Sequence, residues 1–570
     1  MAYDLLIKDA RICDGTGAPI YSGAVGVTDG KIVAVGDAAG AAQREINAHG
    51  LVLAPGFVDL HTHYDAQICW DRLLTCSSWH GVTTVLMGNC GVGVAPVRPR
   101  AHETMAWDLV NVEALPHDVL MRGVGWDWES FPEYMSAVER GGIALNTAFL
   151  VPLSALRFYV IGEEAAERAA TAEETAQMAA LFRDAMVAGA RGFSLSLAPQ
   201  HIGFQGRPLA SRMASRDELT ALCRVMRNLG RGIIEILPRA SNGAMVAASN
   251  DSGFDLLVFL AEQSNRPVTF LAILDLPGTP MRAHQALIER LQPLLARGLK
   301  IYPQVTPRPI QQYYTLRDPF IFAALDSWKG VFNRSAEEQL ALFRSADFRA
   351  AFKDELKRGH RAVFRGRWDR VHVVRVEKPA NQRFLNQSIA AIATMLNKDP
   401  ADAILDLAID ENLALGITLS VINADTAIVD QIMRLPNTLI GLSDAGAHVA
   451  QHCDAGLPSY VLGECIRERG VMSLEAGVRR LTSEIADFID LPTRGRIRVG
   501  NAADLVLFDP ARIRALPPEW LDDLPGGQPR LIERAAGIEC TIVGGNLLFE
   551  NDQYQGGLPG KVLRDSGTEL

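Results

Sequence analysis

Two histidines separated by a single residue are the side chains of this sequence best placed to bind a metal ion. His61 and His63 lie in the segment DLHTHYD, residues 59–65, where a short apolar run at 56–60 ends. On a β-strand alternate residues face the same side, so both imidazoles would point in one direction. Two imidazoles on one face form half of a metal site, and a pair of hydrogen-bonded structural histidines is the alternative.

A cysteine and an aspartate occupy similar positions later in the chain. Cys90 lies in MGNCGVG, residues 87–93, and Asp444 lies in GLSDAGAH, residues 441–448, each at the end of an apolar run. The Cys90 thiolate could ligate a borderline-soft ion such as zinc or act as a nucleophile, although most free cysteines are buried and inert. Asp444 could be a metal ligand, a general base or both, and a turn or N-cap aspartate is the alternative.

These residues follow three of eight short apolar runs that alternate with helical segments. One helix, at 171–188, opens with a Thr-Ala-Glu-Glu capping box, and another spans 216–229. Eight buried strands alternating with helices predict an α/β fold, the (β/α)8 barrel, whose active sites lie at the carboxyl ends of the strands. A ninth run at 416–422 leaves the count open. The eight runs are 56–60, 83–87, 144–151, 192–197, 232–237, 267–274, 299–302 and 438–442.

The two ends of the chain have a different pattern from the middle. Residues 1–53 and 495–550 contain short alternating strands with Asp-Gly and Gly-Gly turns, which predict a small β-sandwich domain built from both termini. The barrel then covers 54–494. Within it, the mixed segment at about 279–380 is predicted to be an insertion or a lid, and 551–570 has the composition of a C-terminal tail.

Composition argues against several classes of function. The 570 residues include 56 basic and 66 acidic ones, with a formal net charge of -10, so no overall positive charge favours binding to nucleic acid or to an anionic membrane. A hydrophobic content of 48% supports a folded chain with a large core rather than a disordered one. The expected partner is a small-molecule substrate, and the sequence is compatible with a monomer or a homo-oligomer.

The cysteines and the N-terminal segment predict a cytoplasmic protein. The eight cysteines include no CxxC pair, which argues against a structural zinc module and against a disulfide framework. Residues 1–10 alternate apolar and polar side chains and lack the apolar core of a signal peptide. No apolar run reaches the ~18 residues that a membrane span needs.

Several motifs together resemble the amidohydrolase superfamily. They are GKI at 30–32, APGFVDLHTH at 54–63, GVTT at 81–84, SD at 443–444 and GNAADL at 500–505. Within that superfamily the chain is similar to the N-acyl-D-amino-acid deacylases, or D-aminoacylases, in three further motifs. These are HYD at 63–65, GNCG at 88–91 and PGKVLR at 559–564. The resemblance implies a metal-dependent barrel joined to a small β-sandwich.

The resemblance also implies a role for each of the residues introduced above. His61 and His63 match the metal-binding histidines of the superfamily, and Cys90 matches the cysteine ligand of the deacylase group. Asp444 matches the essential aspartate that serves as general base, and it is also predicted to be a metal ligand from its place at a strand end. The expected reaction is hydrolysis of a carbon–nitrogen amide bond, in an N-acyl-D-amino acid or in a related small or cyclic amide.

The chain departs from this family where histidines are expected after the fifth and sixth strands. The fifth run reads GIIEILPR at 232–239 and the sixth reads VTFLAILD at 268–275, and neither contains a His. Glu235 could substitute as an oxygen ligand, or it could be a buried carboxylate paired with an Arg. No Lys ends the fourth run at 192–196, so a carbamylated lysine that bridges two metals is not supported. A single divalent ion, zinc, is predicted.

Two residues are candidates for contact with the substrate. His201, in APQHIG at 198–203, could hydrogen-bond a substrate carbonyl or complete the metal shell, and an ordinary loop histidine is the alternative. Arg308, in YPQVTPRP at 302–309, could clamp the carboxylate of an acyl amino acid, and an ion-paired arginine is the alternative. No role is predicted for His452. Support of the site or simple packing is expected of four residues near it in sequence, Asp65, Gln67, His80 and His448.

Two other kinds of function stay open. The same barrel and metal could serve a lyase or a decarboxylase, because a shared fold does not fix the reaction. The chain could also be a metal-free, non-catalytic protein that keeps the histidine pair as a relic. A cysteine nucleophile at Cys90 is a minor further alternative.

Overall fold

The computed structural model describes residues 2–199, 201–239, 251–275, 281–317, 319, 322, 325–332, 334–358, 364 and 366–564. Within these residues, eight parallel strands surround a common axis, and the predicted (β/α)8 barrel is confirmed. A parallel bridge between Thr62 and Ala445 joins the loops that follow the first and eighth strands and closes the barrel. In order, the strands are Phe57–Asp59, Val82–Met87, Asn146–Phe149 continued by Val151–Pro152, Gly192–Ser196, Ile233–Leu237, Val268–Ile273, Ile301–Val305 and Leu439–Ile440.

The barrel strands are apolar because helices cover their outer faces and packed side chains fill the interior. Every residue of the second, fourth and fifth strands is buried. The predicted capping box is present, since Thr171 Oγ1 accepts the Glu174 N–H and the Glu174 carboxylate accepts the Thr171 N–H. None of the helices in the described residues has the length and apolar character needed to cross a lipid bilayer. The helices around the barrel include His102–Glu113, His117–Gly123, Phe131–Gly141, Leu153–Ile161, Ala172–Val187, Arg216–Leu229, Asp251–Ser264, Met281–Ala296, Thr426–Met433, Leu474–Leu481 and Ser483–Phe488.

Strands from both ends of the chain form one sheet beside the barrel. Val52–Pro55 pairs antiparallel with Leu505–Phe508, and side chains from both ends, such as Ile7 and Ile542, share one buried cluster. The β-sandwich part of the predicted fold class is thereby confirmed. Over the described chain this terminal sheet has nine strands, namely Tyr3–Ile12, Tyr21–Thr28, Lys31–Gly36, Ala42–Asn47, Val52–Pro55, Leu505–Phe508, Ile538–Val543, Asn546–Glu550 and Gln553–Tyr554.

The segment after this sheet returns to the barrel. Thr147, in the third strand, donates its N–H to the Lys561 carbonyl at 2.9 Å and accepts the Leu563 N–H at 2.8 Å. A Cβ on Gly560 would collide with the backbone of Leu145, so glycine permits this close approach. Of the tail expected at 551–570, Gln553–Tyr554 belongs to the terminal sheet and residues 559–563 pack on the barrel, and residues 565–570 lie outside the described chain.

The ninth apolar run belongs to a separate antiparallel sheet. Gly416–Ile422 is its central strand, between Ile310–Thr315 on one side and Val371–Arg375 on the other. An aromatic core that includes Phe322 and Trp328 packs against this sheet. The helices that pack around it are Ala336–Arg344, Ala346–Arg358, Ile389–Leu396 and Pro400–Asp410.

The extent of this insertion differs from the 279–380 expected from the sequence. Met281–Ala296 is the barrel helix that connects the sixth strand to the seventh. The seventh strand, Ile301–Val305, still pairs with the eighth strand of the barrel. The part that folds outside the barrel therefore begins near Ile310 and extends to Ile422.

Candidate metal centre

The end of the first barrel strand positions two imidazoles. His61 and His63 are both buried, and their ring centroids lie 5.2 Å apart. The loop after the eighth strand fixes this segment, because His63 donates its N–H to the Ala445 carbonyl at 2.7 Å and Ser443 Oγ donates to the His61 carbonyl at 3.0 Å. Closure of the barrel therefore brings Asp444, which lies between these two loop residues, against the histidines.

A tight turn after the second strand presents Cys90. Cys90 has a φ of 54°, in the left-handed region, and its neighbours Gly88 and Gly91 have φ values of 82° and 72°. A Cβ on Gly88 would collide with the carbonyl oxygen of Leu150 in the third strand, so the turn requires glycine there. Asp65 supports the same turn by accepting the Gly88 N–H at 3.1 Å.

Four candidate ligand atoms converge from three strand ends. Nε2 of His61 lies 3.6 Å from Sγ of Cys90 and 3.4 Å from Oδ1 of Asp444. Nε2 of His63 lies 3.9 Å from the same Asp444 oxygen. Zn–N and Zn–S bonds of about 2.0–2.3 Å place the ligand atoms of a tetrahedral zinc roughly 3.3–3.6 Å apart. The distances of His61 to Cys90 and to Asp444 match this spacing, and His61, His63 and Cys90 form a group whose ligand atoms all lie within 4.8 Å of one another and could hold a metal ion.

The ionisable groups of the cluster also suit a bound cation. Burial raises the pKa of Asp444 to about 7 and that of Glu235 to about 8, and the Asp444 charge adds to the Glu235 shift. Burial lowers the pKa of His61 to about 3 and that of His63 well below its ordinary value, so both rings are neutral, as metal ligands must be. A divalent ion would compensate the buried carboxylates and accept these imidazoles as ligands.

Glu235 lies on the fifth strand, directly behind the cysteine turn. One of its oxygens accepts the Cys90 N–H at 2.8 Å, and the other has no hydrogen-bond partner among the described residues. The arginine partner considered from the sequence is therefore not observed. Burial and the nearby Glu235 charge raise the pKa of the Cys90 thiol well above its ordinary value. The thiolate that a cysteine nucleophile needs is thus disfavoured unless a cation is bound.

Asp444 connects the ligand cluster to the open end of the barrel. Its side chain is 23% exposed, whereas those of His61 and His63 are 0% and 3% exposed. A carboxylate that contacts the ligands and is also open to solvent can exchange a proton with a substrate.

Glu113 is a buried carboxylate that sequence reasoning missed. It is the last residue of the helix His102–Glu113, and its Oε1 lies 3.4 Å from Nδ1 of His63. A carboxylate at the second nitrogen of a metal-binding imidazole orients the ring. No local motif marks Glu113, because the contact joins a helix end to a strand that is distant in sequence.

His201 is held beside the cluster by the fourth strand. Its Nδ1 lies 3.0 Å from Oγ of Ser196, in hydrogen-bonding geometry. Burial lowers the pKa of His201 to about 4, and the neighbouring His448 adds to this shift. A neutral imidazole held in this way can hydrogen-bond a substrate through its other nitrogen.

Arg308 has carboxylate partners inside the protein, as the ion-paired alternative to a substrate clamp predicts. Its guanidinium donates to Glu533 at 2.8 and 2.9 Å, and its Nε lies 3.0 Å from Oδ1 of Asp454. All three residues are buried. The bidentate pair satisfies the planar fork of the arginine, so Arg308 ties the loop after the seventh strand to the C-terminal segment.

Two other residues near the site in sequence make structural bonds. The ring nitrogens of His80 lie 2.9 Å from Oγ of Ser459 and 3.0 Å from the Glu533 carbonyl. The Gln67 amide donates to the Thr75 carbonyl at 2.8 Å. Both residues therefore hold the segment between the first and second strands in place.

Comparison with known proteins gives matches over nearly the whole chain. The sequence model described as Amidohydrolase family matches residues 44–549. A D-aminoacylase of Alcaligenes xylosoxydans xylosoxydans is 28% identical over 565 residues, which cover 98% of this chain and 97% of the relative.

Two solved structures share the fold. One is a D-aminoacylase, reported with a binuclear metal centre that shows one-metal activation and second-metal attenuation. It has a TM-score of 0.65 and 25% identity, covering 99% of this chain and 100% of the other. The second is an N-acyl-D-glutamate deacylase of Bordetella bronchiseptica, complexed with zinc and a phosphonate mimic of the tetrahedral intermediate. It has a TM-score of 0.67 and 24% identity with the same coverage.

Proposed function

Because the chain belongs to the amidohydrolase family, we propose that it hydrolyses the amide bond of N-acyl-D-amino acids or of related small amides. The observation that carries this proposal is the convergence of two histidines, Cys90 and Asp444 at the carboxyl ends of the barrel strands. The similarity to a D-aminoacylase supports both the amide substrate and the D configuration.

The donor set selects the cofactor. Two imidazole nitrogens, a thiolate sulfur and a carboxylate oxygen suit a borderline divalent ion, for which zinc is the proposed occupant. Such an ion, when bound, polarises the amide carbonyl and lowers the pKa of a water molecule. The residues that would hold it are His61, His63, Cys90 and Asp444.

Asp444 moves the proton in the proposed reaction. Its carboxylate accepts a proton from the attacking water and delivers it to the amide nitrogen as the carbon–nitrogen bond breaks. The products are a carboxylate and an amine. His201, neutral and held by Ser196, hydrogen-bonds the substrate carbonyl and orients it toward the water.

A substrate panel tests this function. Protein reconstituted with zinc is assayed against N-acetyl-D-amino acids, their L-enantiomers and cyclic amides, with amine and carbon dioxide both measured. We expect amine release from the D-substrates. Carbon dioxide release without amine would assign the barrel to a decarboxylase instead, and no product from any substrate by a zinc-loaded protein would overturn the proposal.

The proton transfer assigned to Asp444 gives a variant test. Asp444→Asn removes the proton acceptor, so we expect kcat to fall about 10²–10⁴-fold. The matched control is Asp29→Asn, because Asp29 lies in an exposed hairpin turn of the terminal sheet and the substitution should leave kcat unchanged. Zinc content is measured on both variants. Wild-type turnover by Asp444→Asn would contradict the assigned role.

A further inference from the structure

The loop after the eighth strand carries two histidines one helical turn apart. The His452 N–H donates to the His448 carbonyl at 3.0 Å, and the ring centroids lie 4.8 Å apart with 33° between the planes. Asp444 lies at the start of the same loop. One ligand atom from each of these three residues lies within 4.8 Å of the others, so the loop gathers two imidazoles and a carboxylate at one point.

Glu113 faces this cluster from the end of its helix. Its Oε2 lies 3.9 Å from Nε2 of His448. Its backbone carbonyl accepts the His448 N–H at 2.6 Å, so the helix end and the loop are held together by the backbone as well. Two imidazoles and the Asp444 carboxylate, with the Glu113 carboxylate beside them, are groups suited to zinc and other borderline divalent ions.

Several polar atoms of this cluster are buried and have no hydrogen-bond partner in the described part of the chain. They are Nδ1 of His448, Nδ1 of His452 and Oε1 of Glu113, the last of which also lies 3.4 Å from Nδ1 of His63. His452 is 6% exposed and Glu113 is 2% exposed, so solvent does not satisfy them. The carboxylate of Asp454 lies 3.9 Å from Nδ1 of His452, beyond hydrogen-bond range. Since buried polar groups normally have partners, these atoms indicate a missing ligand.

We propose that a second divalent ion, zinc or an ion of similar softness, is bound by Asp444, His448 and His452, with the Glu113 carboxylate beside it. Asp444 would be shared with the first site, because its Oδ1 also lies 3.4 Å from Nε2 of His61. The three ligands come from the last barrel loop, whereas the fifth and sixth strands contain no His. This inference concerns metal binding alone and does not depend on the proposed amide reaction.

Cobalt titration of the metal-free protein separates the two sites. The first site includes the Cys90 thiolate, so Co²⁺ bound there gives a thiolate-to-metal charge-transfer band in the near ultraviolet. The second site offers only nitrogen and oxygen ligands, so Co²⁺ bound there gives no such band. We expect two equivalents of bound cobalt, only one of which produces the band, and elemental analysis measures the same stoichiometry with zinc.

Variants assign each equivalent to its ligands. The double variant His448→Asn, His452→Asn should lose the equivalent without the charge-transfer band and keep the other. Cys90→Ser should abolish the band. Asparagine is chosen because His448 has a φ of 52°, a left-handed conformation that asparagine tolerates. His49→Asn is the matched control, since His49 is exposed and has a φ of 48°, and both equivalents should remain.

Two results of these titrations would contradict the second metal site. The absence of an equivalent without the charge-transfer band in the wild-type protein, or its persistence in a folded double variant, would overturn the second site. If the double variant does not fold, Glu113→Gln provides the test, because it keeps the side-chain shape and removes the negative charge beside His448. We expect this variant to bind the second equivalent at least about 10-fold more weakly, and unchanged affinity would overturn the proposal. Two bound ions in a protein that hydrolyses no amide would contradict the proposed function and leave this site intact.

Discussion

At the scale of single residues, the buried ion pairs of Arg308 predict a large loss of stability when this side chain is replaced. Arg308→Met leaves the buried Glu533 and Asp454 carboxylates without their cation, and breaking a buried ion pair in this way costs about 3–5 kcal/mol. We expect the free energy of unfolding to fall by that amount in urea denaturation followed by circular dichroism.

An exposed ion pair provides the comparison for this variant. Arg297 pairs with Glu262 at 2.9 Å, and the two side chains are 62% and 43% exposed. Arg297→Met should therefore change stability by less than about 1 kcal/mol. If the Arg308→Met protein had wild-type stability and a raised KM for acyl amino acids, the result would support a role for Arg308 in binding the substrate carboxylate.

The candidate site was predictable from sequence to the extent that its residues lie at strand ends. His61, Cys90 and Asp444 each follow an apolar run, and parallel strands bring such positions to one rim of a barrel. Glu113 and His452 were missed for a physical reason. Their contacts are set by how a helix and a long loop pack against the barrel, which no local pattern records.

At the scale of the elements, a buried carboxyl group joins the helix His102–Glu113 to the loop after the fourth strand. Oδ1 of Asp108 accepts the Phe204 N–H at 2.8 Å. Burial raises the pKa of Asp108 from 3.8 to about 7. Because the folded protein binds this proton more tightly than the unfolded chain, the stabilisation is complete below the unfolded pKa and is lost as the pH rises through about 7.

The variant Asp108→Asn tests this pH dependence. It keeps an oxygen for the Phe204 N–H and cannot ionise, so its free energy of unfolding should fall less than that of the wild type between pH 5 and pH 8. The difference should be on the order of a few kcal/mol. Denaturation curves across this range measure it, with Asp29→Asn expected to follow the wild type. A curve for Asp108→Asn parallel to that of the wild type would contradict the prediction.

The elements themselves were predictable where burial on two faces produced continuous apolar runs. The ambiguous run at 416–422 is apolar for a related reason, since it is the central strand of the inserted sheet. The start of the insertion was misplaced because Met281–Ala296 contains Pro293 within the helix, which obscures a helical pattern in sequence.

At the scale of the whole molecule, metal removal should lower thermal stability. A ligand that binds only the folded state stabilises it by about 2.7 kcal/mol at 100 times its dissociation constant. We therefore expect chelation to lower the unfolding midpoint of the wild-type protein in calorimetry and zinc to restore it. The double variant His61→Ala, His63→Ala should lose the part of this response that belongs to the first site. An equal response in both proteins would show that His61 and His63 do not bind the metal.

The terminal sheet has a consequence for synthesis on the ribosome. Val52–Pro55 pairs with Leu505–Phe508, so its partner is translated only after the whole barrel, on the order of tens of seconds later at 5–20 residues per second. During that interval the nascent strand presents an unpaired edge, which is a template for association with other chains. Neighbouring chains on one polysome must therefore be kept apart, by chaperones or by spacing, until the last strands emerge.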